Sequence, residues 1–488
     1  ALFGAHSPTL SHTHCIRPVT MRPSFLLIGI LITVLLLPFE SARVLLFGMP
    51  IYLVEIGAIA SVVALLLARK RKGGIVGATP KTFGAPLPTP IRWGIAFLLF
   101  GIISSTLVAL SNQSTCPLSH EGFLRALGII KSWFVIPMLF GYIIFYASRV
   151  YFSREKLIFL FMVSFLPFGI FSLLMWIFGS GMTYDGRFEG IFNSPNTLAM
   201  YLTPAAIFSW YFFRKYSFAP QTKGEGGVTS QSVCETTLSP LLAKAGRNTF
   251  WISFCIFAFL LFLTRSYSAW IAIFLGLFFF EIVRIRNIRA RANYILVGAN
   301  NYSPLRYAGI ILVFAGIIAF SQWNNPRFEH FFDPGSRSSF ASRVMIWQSA
   351  GKMVVDSPVF GIGPGNFQAC YLAYQKYFPP YLEWSVPEPH NIFLAFWLGS
   401  GIIGLLGFGF LVFWWFRNVF QGMKKEGDHL LLTLAAIMIA MLVHGLVDTP
   451  YWRISLSYIF WWVFFMGISS SSLQEGAPRT RGRGVSNK

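Results

Sequence analysis

Apolar residues occur along this chain in long runs that are separated by short polar or basic segments. A helix that crosses a bilayer needs roughly 20 mostly apolar residues, because its backbone amides must be bonded within the segment once water is excluded. Twelve stretches meet this condition, which predicts an all-α integral membrane protein with about twelve spans. The predicted spans are Ser24 to Pro38, Val44 to Leu67, Trp93 to Leu110, Leu124 to Ala147, Leu157 to Phe178, Thr197 to Phe213, Phe250 to Leu263, Ala269 to Val283, Tyr307 to Trp323, Asn391 to Phe416, Leu430 to Val447 and Ile454 to Ile468.

Basic residues follow every second predicted span, and this alternation predicts the orientation. Lys and Arg in short loops mark the cytoplasmic side of a membrane. The clusters after the even-numbered spans are Arg69, Lys70, Arg71 and Lys72; Arg149, Arg154 and Lys156; Arg214 and Lys215; Arg284, Arg286, Arg289 and Arg291; Arg417, Lys424 and Lys425; and Arg479, Arg481 and Arg483. Both termini are therefore predicted to lie in the cytoplasm.

This orientation divides the chain into five parts. They are an N-terminal stretch over 1–20, spans one to nine over 21–323, a large outward-facing loop over 324–390, spans ten to twelve over 391–470, and a basic cytoplasmic tail over 471–488. Because residues 1–20 are polar and without pattern, we expect them to be non-native or disordered and Met21 to be the start.

Two patterns within the outer loop predict local structure. Apolar residues recur at helical spacing from Phe340 to Val354, and Pro358 ends the run, which predicts an amphipathic helix with Arg343 beside its apolar stripe. The following segment, from Pro358 to Phe367, holds too many glycines and prolines for a helix and predicts a tight, specifically shaped turn.

Composition and charge agree with a membrane protein. Of the 488 residues, 55% are hydrophobic and only 12% charged, and the mean hydropathy is +0.60. Soluble folds need more charge to cover their surfaces, and disordered chains hold far less apolar residue. The net charge of +21 lies in the cytoplasmic clusters, since the outer loop is charge-balanced. It therefore indicates orientation, and no nucleic-acid partner is predicted.

The five cysteines include no pair spaced for a zinc site, so no structural metal is predicted. Cys116 and Cys370 both fall on the predicted outer side, where disulfides form. A bond between them is one alternative and two free thiols are the other.

Polar residues at the predicted outer ends of the spans are the candidates for chemistry. They are Arg187, Asn196, Arg265, Arg343, His390 and Asp448. Several arginines at one face suit a diphosphate, because the guanidinium fork binds phosphate oxygens bidentately and keeps its charge. His390 adds a base that can take a proton from an attacking hydroxyl. The plainer interpretation is that the arginines snorkel to headgroups and that His390 caps the helix beginning at Asn391.

Lys131, Glu55 and His444 lie inside predicted spans, where charge is costly and is usually paired or functional. Lys131 lies roughly two helical turns below the outer end of the fourth span, where it either points into an outward-facing cavity or snorkels. Glu55 and His444 are better explained by pairing or hydrogen bonding with a neighbouring helix than by catalysis.

Five segments form a more specific pattern. They read Ser342-Arg343-Val344-Met345-Ile346-Trp347; Asp356-Ser357-Pro358-Val359-Phe360-Gly361-Ile362-Gly363-Pro364-Gly365-Asn366-Phe367; Pro389-His390-Asn391-Ile392-Phe393-Leu394; Gly186-Arg187-Phe188-Glu189-Gly190-Ile191-Phe192-Asn193-Ser194-Pro195-Asn196; and His444-Gly445-Leu446-Val447-Asp448. In order and spacing they resemble the bacterial O-antigen ligase and polymerase family. One departure is Thr264-Arg265-Ser266, where that family often has a Ser-Arg-Gly-like turn, so Arg265 ranks below the other two arginines.

The resemblance implies a GT-C-like membrane glycosyltransferase of the bacterial inner membrane, with its active site facing the periplasm. It implies an undecaprenyl-diphosphate-linked glycan as donor, lipid A core or another lipid-linked glycan as acceptor, and neither a metal ion nor a nucleotide sugar. Arg187 and Arg343 would bind the diphosphate and stabilise the leaving group, while His390 would orient or deprotonate the acceptor hydroxyl, with inversion at the anomeric carbon. The residues predicted to bind substrate are Arg265, Lys131, Asn196, Asn391 and Asp448.

Several functions remain open at this point. Ligation to lipid A core is slightly favoured over polymerisation of repeat units, since both activities share these motifs. A secondary transporter also has about twelve spans, but the chain shows no internal repeat and its polar residues gather outside the bilayer midplane. A noncatalytic scaffold of an envelope complex is the third alternative.

Overall fold

The computed structural model of this chain describes residues 24–46, 49–72, 87–111, 116–217, 240–292, 338–379, 384–426 and 429–468, with five single positions between 309 and 320. The predicted N-terminal stretch, the basic tail and the first part of the outer loop lie outside the described residues. Most of the predicted ninth span lies outside them as well.

The described part of the chain is almost entirely helical. Its helices are α1 (Ser24–Leu36), α2 (Leu53–Lys72), α3 (Thr89–Ala109), α4 (His120–Ile129), α5 (Ile136–Val150), α6 (Arg154–Ile177), α7 (Pro195–Ser217), α8 (Pro240–Leu263), α9 (Tyr267–Ala292), α10 (Ser339–Asp356), α11 (Phe367–Tyr374), α12 (Ile392–Glu426), α13 (His429–His444) and α14 (Ile454–Ile468). A π-helical stretch, Ile130–Val135, joins α4 to α5, and a 3-10 turn, Gln375–Tyr377, follows α11. Strands β1 (Arg43–Leu46) and β2 (Met49–Tyr52) form an antiparallel hairpin in which Arg43 pairs with Tyr52.

Six helical segments are long and apolar enough to cross a membrane, judged by length and composition. They are Thr89–Ala109, His120–Val150, Arg154–Ile177, Gly246–Leu263, Tyr267–Arg286 and Ile392–Lys424. Four further helical segments are apolar but shorter, namely α1, the first part of α2, α13 and α14. The prediction of an all-α membrane protein is confirmed at this level, whereas the count of twelve spans and the position of the outer loop stay predictions.

Two predicted spans are wrong in detail. The second, Val44 to Leu67, begins with the β-hairpin, and its helix starts only at Leu53. The tenth is interrupted at Gly401, where φ is +67° and ψ is 179°. A left-handed φ of this kind breaks the helical path and favours glycine.

Helix α14 lies at the centre of the bundle. All its residues are buried, as are most of those in α13 and α7. A helix that is apolar on every side needs neighbours all round, and α5, α7, α12 and α13 contact it. The peripheral helix α3 instead exposes Phe97, Phe100 and Leu107, as a lipid-facing helix does.

The glycine-rich turn after α10 docks into the break in α12. The amide of Ile362 donates to the carbonyl of Leu398 at 2.8 Å, and the amide of Ile402 donates to the carbonyl of Val359 at 3.0 Å. Gly361 has a φ of +70°, and a Cβ there would lie 2.4 Å from the carbonyl oxygen of Leu398. The predicted tight turn is therefore confirmed, and it fixes the predicted amphipathic helix, α10, against α12.

A disulfide joins Cys116 to Cys370, with 5.8 Å between the Cα atoms. It connects the segment before α4 to α11. The side chain of Asn366 strengthens this junction, because its Nδ2 donates to the carbonyl of Cys116 at 2.9 Å. Of the two alternatives for these cysteines, the structure has the bonded one.

Candidate functional site

Asp448 is the carboxylate that three of the predicted site residues contact. It lies between α13 and α14 and is 4% exposed. Its Oδ1 lies 3.2 Å from Nδ1 of His390 and accepts from the amide of Thr449 at 2.9 Å. Its Oδ2 accepts from Nδ2 of Asn196 at 3.1 Å and lies 3.8 Å from Nη2 of Arg343. The bundle thus brings together side chains from distant parts of the sequence.

The charges around Asp448 keep it ionised. Burial is the largest single influence and would raise its pKa, because a charged group loses its water shell. The hydrogen bond from the His390 ring, the charge that this ring carries when it is protonated, and the charge of Arg343 together outweigh burial, so the pKa of Asp448 falls below its ordinary value.

His390 is held so that one ring nitrogen is left for chemistry. Since Asp448 is ionised, we assign the proton to Nδ1, which donates to the carboxylate, and Nε2 is then the acceptor. The indole of Trp347 donates to the carbonyl of His390 at 3.2 Å. The backbone of His390 has a φ of +46°. A non-glycine residue in that region carries strain of roughly 1–3 kcal/mol, and such strain concentrates at functional sites.

Asn391, and not His390, caps α12. Its Oδ1 accepts from the amides of Phe393 at 2.9 Å and Leu394 at 3.0 Å, and its Nδ2 donates to the carbonyl of Leu446 at 2.9 Å. The interpretation of His390 as the cap is therefore wrong, and its side chain is directed to Asp448 instead. These bonds give Asn391 a structural role, and its predicted binding of substrate stays a prediction.

Arg187 belongs to the same network through Asn196. Its Nη2 donates to Oδ1 of Asn196 at 2.6 Å, while the Nδ2 of that amide donates to Asp448. Its Nε donates to the carbonyl of Thr264 at 2.8 Å, in the turn between α8 and α9. The loop that carries Arg187 is therefore tied to both the α8–α9 turn and the segment after α13.

Arg343 connects α10 to the segment that carries Asp448. Its Nε donates to the carbonyl of Val447 at 2.7 Å. Its Nη1 donates one helical turn back, to Oγ of Ser339 at 2.5 Å and to the carbonyl of that residue at 3.2 Å. The side chain is 13% exposed, so the charge is largely withdrawn from bulk solvent and yet still reaches the site.

Arg265 differs from the other two arginines. It is exposed and its φ is +49°. Within the described ranges, His390 is the other non-glycine residue with a positive φ. The guanidinium of Arg265 makes no hydrogen bond or ion pair with any described residue. A Cβ added to Gly186 would lie 3.9 Å from its Nη1, which places it beside the Arg187 loop.

Lys131 has partners other than the cluster around Asp448. Its Nζ lies 2.8 Å from Oε2 of Glu55 and donates to the carbonyl of Pro50 at 2.6 Å. The expected pairing of Glu55 with a neighbouring helix is thus confirmed, and so is that of His444, whose Nε2 lies 3.0 Å from Oγ of Ser268 on α9. The structure gives Lys131 no contact with the cluster, and its binding of substrate stays a prediction.

Sequence reasoning missed a cleft beside Arg187. It has a volume of about 490 Å³, and Asp185 and Glu189 line it together with Arg187. Burial and the charge of Asp185 raise the pKa of Glu189, against the opposing charge of Arg187. The signal was available, because both acids lie within two residues of the predicted arginine.

Glu388 was also missed, although it lies two residues before His390. It is partly buried, and burial raises its pKa to about 8 despite the nearby charge of Arg453. Within the described residues, no three His, Cys, Asp or Glu side chains are grouped so that they could hold a metal ion.

One family model matches part of this chain. Residues 252–409 match the family model described as O-antigen ligase. That segment runs from α8 into α12 and contains Arg265, Arg343 and His390, whereas Arg187 and Asp448 lie outside it. A search of the curated proteins found no match to the chain.

Proposed function

We propose that this chain, which belongs to the O-antigen ligase and polymerase family by its match over residues 252–409, transfers a glycan from an undecaprenyl-diphosphate carrier to an acceptor hydroxyl. The family supports glycosyl transfer of this general kind, and the carrier, the acceptor and the membrane face are part of the proposal. The observation that carries it is the network at Asp448, which joins a histidine base to two arginines.

His390 acts as the general base in this proposal. Its Nε2 accepts the proton of the acceptor hydroxyl as that oxygen attacks the anomeric carbon. Asp448 holds the ring in the required tautomer and stabilises the imidazolium that forms. Because Asp448 stays ionised, this support is present throughout the neutral pH range.

The arginines stabilise the leaving group. The bond between the anomeric carbon and the diphosphate oxygen breaks as the new glycosidic bond forms, and the electron pair leaves with undecaprenyl diphosphate. Arg187 and Arg343 are fixed by their neighbours before the substrate arrives, and Arg265 is exposed and not bonded to any described side chain, so all three are suited to bind phosphate oxygens. Attack from the face opposite the diphosphate inverts the anomeric configuration.

Two features support a site at the outer face of the inner membrane. Disulfides form in oxidising compartments, and the Cys116–Cys370 bond lies at the end of the bundle that carries α10 and Arg343. The alternation of basic clusters in the sequence gives the same orientation. We take lipid A core as the acceptor. The alternative is a polymerase, in which the same reaction uses another lipid-linked repeat unit as the acceptor.

The test is deletion of the gene in the source bacterium, followed by complementation and gel analysis of the glycans. Loss of all polymer on lipid A core indicates a ligase, and attachment of single repeat units alone indicates a polymerase. We expect the wild type to restore the profile and Arg187→Ala, Arg343→Ala and His390→Ala to fail while still inserting in the membrane.

The matched control is His120→Ala, since His120 is an exposed histidine at the start of α4, outside the site. We expect this variant to complement fully. A deletion strain with an unchanged glycan profile, or full complementation by His390→Ala, would contradict the proposal.

A further inference from the structure

The loop that carries Arg187 also lines the 490 Å³ cleft, and Asp448 is not part of that lining. Besides Arg187 and its acidic neighbours, Asp185 and Glu189, the lining includes Tyr184 and Asn193. None of these four neighbours has a part in the transfer described above, so the cleft needs an explanation of its own.

The loop is rigidly built. The amide of Thr183 donates to the carbonyl of Arg187 at 2.8 Å, and the amide of Gly186 donates to the carbonyl of Thr183 at 3.0 Å, which closes a tight turn with Tyr184 at its tip. At its base, Gly181 has a φ of +74°, and a Cβ there would lie 2.9 Å from Cα of Gly190. These close approaches give the cleft a fixed shape before any ligand binds.

The loop is also anchored to the bundle. The amide of Phe188 donates to the carbonyl of Leu263 at the end of α8, at 3.1 Å, and Phe188 itself is fully buried. Arg187, next in the chain, is bonded to Thr264 and Asn196. A ligand in the cleft is therefore held within one residue of the groups that bind the diphosphate in our proposal.

The side chains of the cleft select a neutral ligand with many hydroxyl groups. The two carboxylates, Asp185 and Glu189, exceed the single positive charge of Arg187 and would repel a phosphate. The Glu189 carboxyl makes no hydrogen bond or ion pair with any described residue, and an apolar ligand would leave it unsatisfied. Hydroxyl groups can donate to this carboxyl and to the side-chain oxygen of Asn193.

Tyr184 supplies the remaining element of such a site. Its side chain is fully exposed at the tip of the turn. A large exposed aromatic ring that no other side chain covers offers an apolar face, and the C–H face of a sugar ring packs on such a surface while its hydroxyls reach the polar groups beside it.

We propose that this cleft is a carbohydrate subsite, in which Tyr184 stacks on a sugar ring and Glu189 and Asn193 bind its hydroxyls. The inference rests on the proposed glycan transfer and names the part of the chain that holds the glycan. The sugar belongs either to the donor, next to its diphosphate, or to the acceptor, and these two sources are separable by kinetics.

The test is steady-state transfer by the purified full chain in liposomes, with lipid-linked glycan and acceptor extracted from the source bacterium. We expect Tyr184→Ala and Glu189→Gln each to raise KM for one of the two substrates by about 5- to 20-fold, with kcat within about twofold. A rise in KM for the donor assigns the cleft to the donor glycan, and a rise for the acceptor assigns it to the acceptor glycan.

Inhibition by undecaprenyl diphosphate without a glycan separates sugar binding from diphosphate binding. Its inhibition constant should be unchanged in both variants, because Tyr184 and Glu189 contact the sugar while Arg187, which binds the diphosphate, is left in place. Matched controls are Tyr377→Ala, an exposed tyrosine after α11, and Glu121→Gln, an exposed acid on α4, and both should behave as the wild type.

Two results would overturn the subsite. One is unchanged KM values for donor and acceptor in both variants while the wild type transfers glycan. The other is weaker inhibition by glycan-free undecaprenyl diphosphate to the same extent as the change in KM, which would mean that the substitutions act through Arg187. Absence of transfer by the wild type itself would instead contradict the proposed function, so the two failures are distinguishable.

Discussion

Among the side chains of the site, we expect Asp448 to have the largest effect on the rate of transfer. It contacts the base His390 and is linked to both Arg187 and Arg343. Asp448→Asn keeps the size of the side chain but removes the charge that stabilises imidazolium and fixes the tautomer of His390. We expect kcat to fall by about 10²- to 10⁴-fold.

The measurement is the initial rate of transfer by purified protein. The control is Asp356→Asn, since Asp356 lies at the end of α10 and pairs with Lys352 away from the site. Wild-type kcat in Asp448→Asn would show that the carboxylate is not required.

The raised pKa of Glu388 should make the stability of the folded protein depend on pH. Its pKa is raised to about 8 in the folded protein, against about 4.3 for a free side chain. Between these two pKa values the folded state binds more protons than the unfolded state, so the free energy of unfolding decreases as the pH rises. The stabilisation from protonated Glu388 is complete below about pH 4 and is lost as the pH rises through 8.

The corresponding variant is Glu388→Gln, which does not titrate. We expect the decline in melting temperature of the wild type between about pH 5 and pH 8.5 to be smaller in this variant. The readout is thermal unfolding in detergent across that range, and parallel curves for the two proteins would exclude a raised pKa at Glu388.

The sequence predicted that Arg187, Arg343 and His390 lie near one another, but it did not predict their contacts. These three residues were singled out because arginine and histidine at the ends of apolar runs are unusual. The central position of Asp448 was not predictable, because it depends on how α7, α10 and the segment after α13 pack. The cap of α12 was misassigned to His390 instead of Asn391, since adjacent polar residues at a helix start are equally plausible caps.

Helices α3 and α12 depend on glycine for their contact. A Cβ added at Gly101 would lie 2.4 Å from the amide nitrogen of Gly404 and 2.6 Å from the carbonyl oxygen of Ser400, and backbone atoms cannot move aside. Gly101→Ala should therefore destabilise the protein by about 1–3 kcal/mol, the usual range for overpacking.

Gly409 provides the matched control on α12, because a Cβ there has nothing within 4 Å. Gly409→Ala should leave the protein as stable as the wild type or stabilise it by about 0.5–1 kcal/mol. Melting temperatures in detergent measure both variants. Equal stability of Gly101→Ala and Gly409→Ala would mean that the two helices are not in close contact.

Whole helices were easier to predict from the sequence than their interruptions. Each predicted span that falls within the described ranges contains helix over most of its length, because an apolar run in a bilayer satisfies its own backbone hydrogen bonds in that form. The hairpin before α2 and the break at Gly401 lie inside such runs. Both depend on contacts from other segments, such as the turn that docks at Val359, and hydropathy does not report those contacts.

The orientation of the whole molecule is a prediction that chemical labelling can test. In a background where Cys15, Cys234 and Cys255 are replaced by Ser, so that only the disulfide-bonded Cys116 and Cys370 remain, Glu121→Cys and Lys424→Cys place thiols at opposite predicted sides. A membrane-impermeant maleimide should label the first in intact spheroplasts and the second only after lysis. The reverse pattern would put the Asp448 network on the cytoplasmic side.

A reconstituted reaction tests whether this protein transfers a glycan with His390 as the base. Purified protein in liposomes receives lipid-linked glycan and lipid A core from the source bacterium, and glycosylated acceptor and released undecaprenyl diphosphate are measured together. We expect equal amounts of the two products from the wild type, and a rate about 10²- to 10⁴-fold lower from His390→Ala. Transfer by His390→Ala at the wild-type rate, or no transfer by the wild type to lipid A core or to a second lipid-linked glycan, would contradict this expectation.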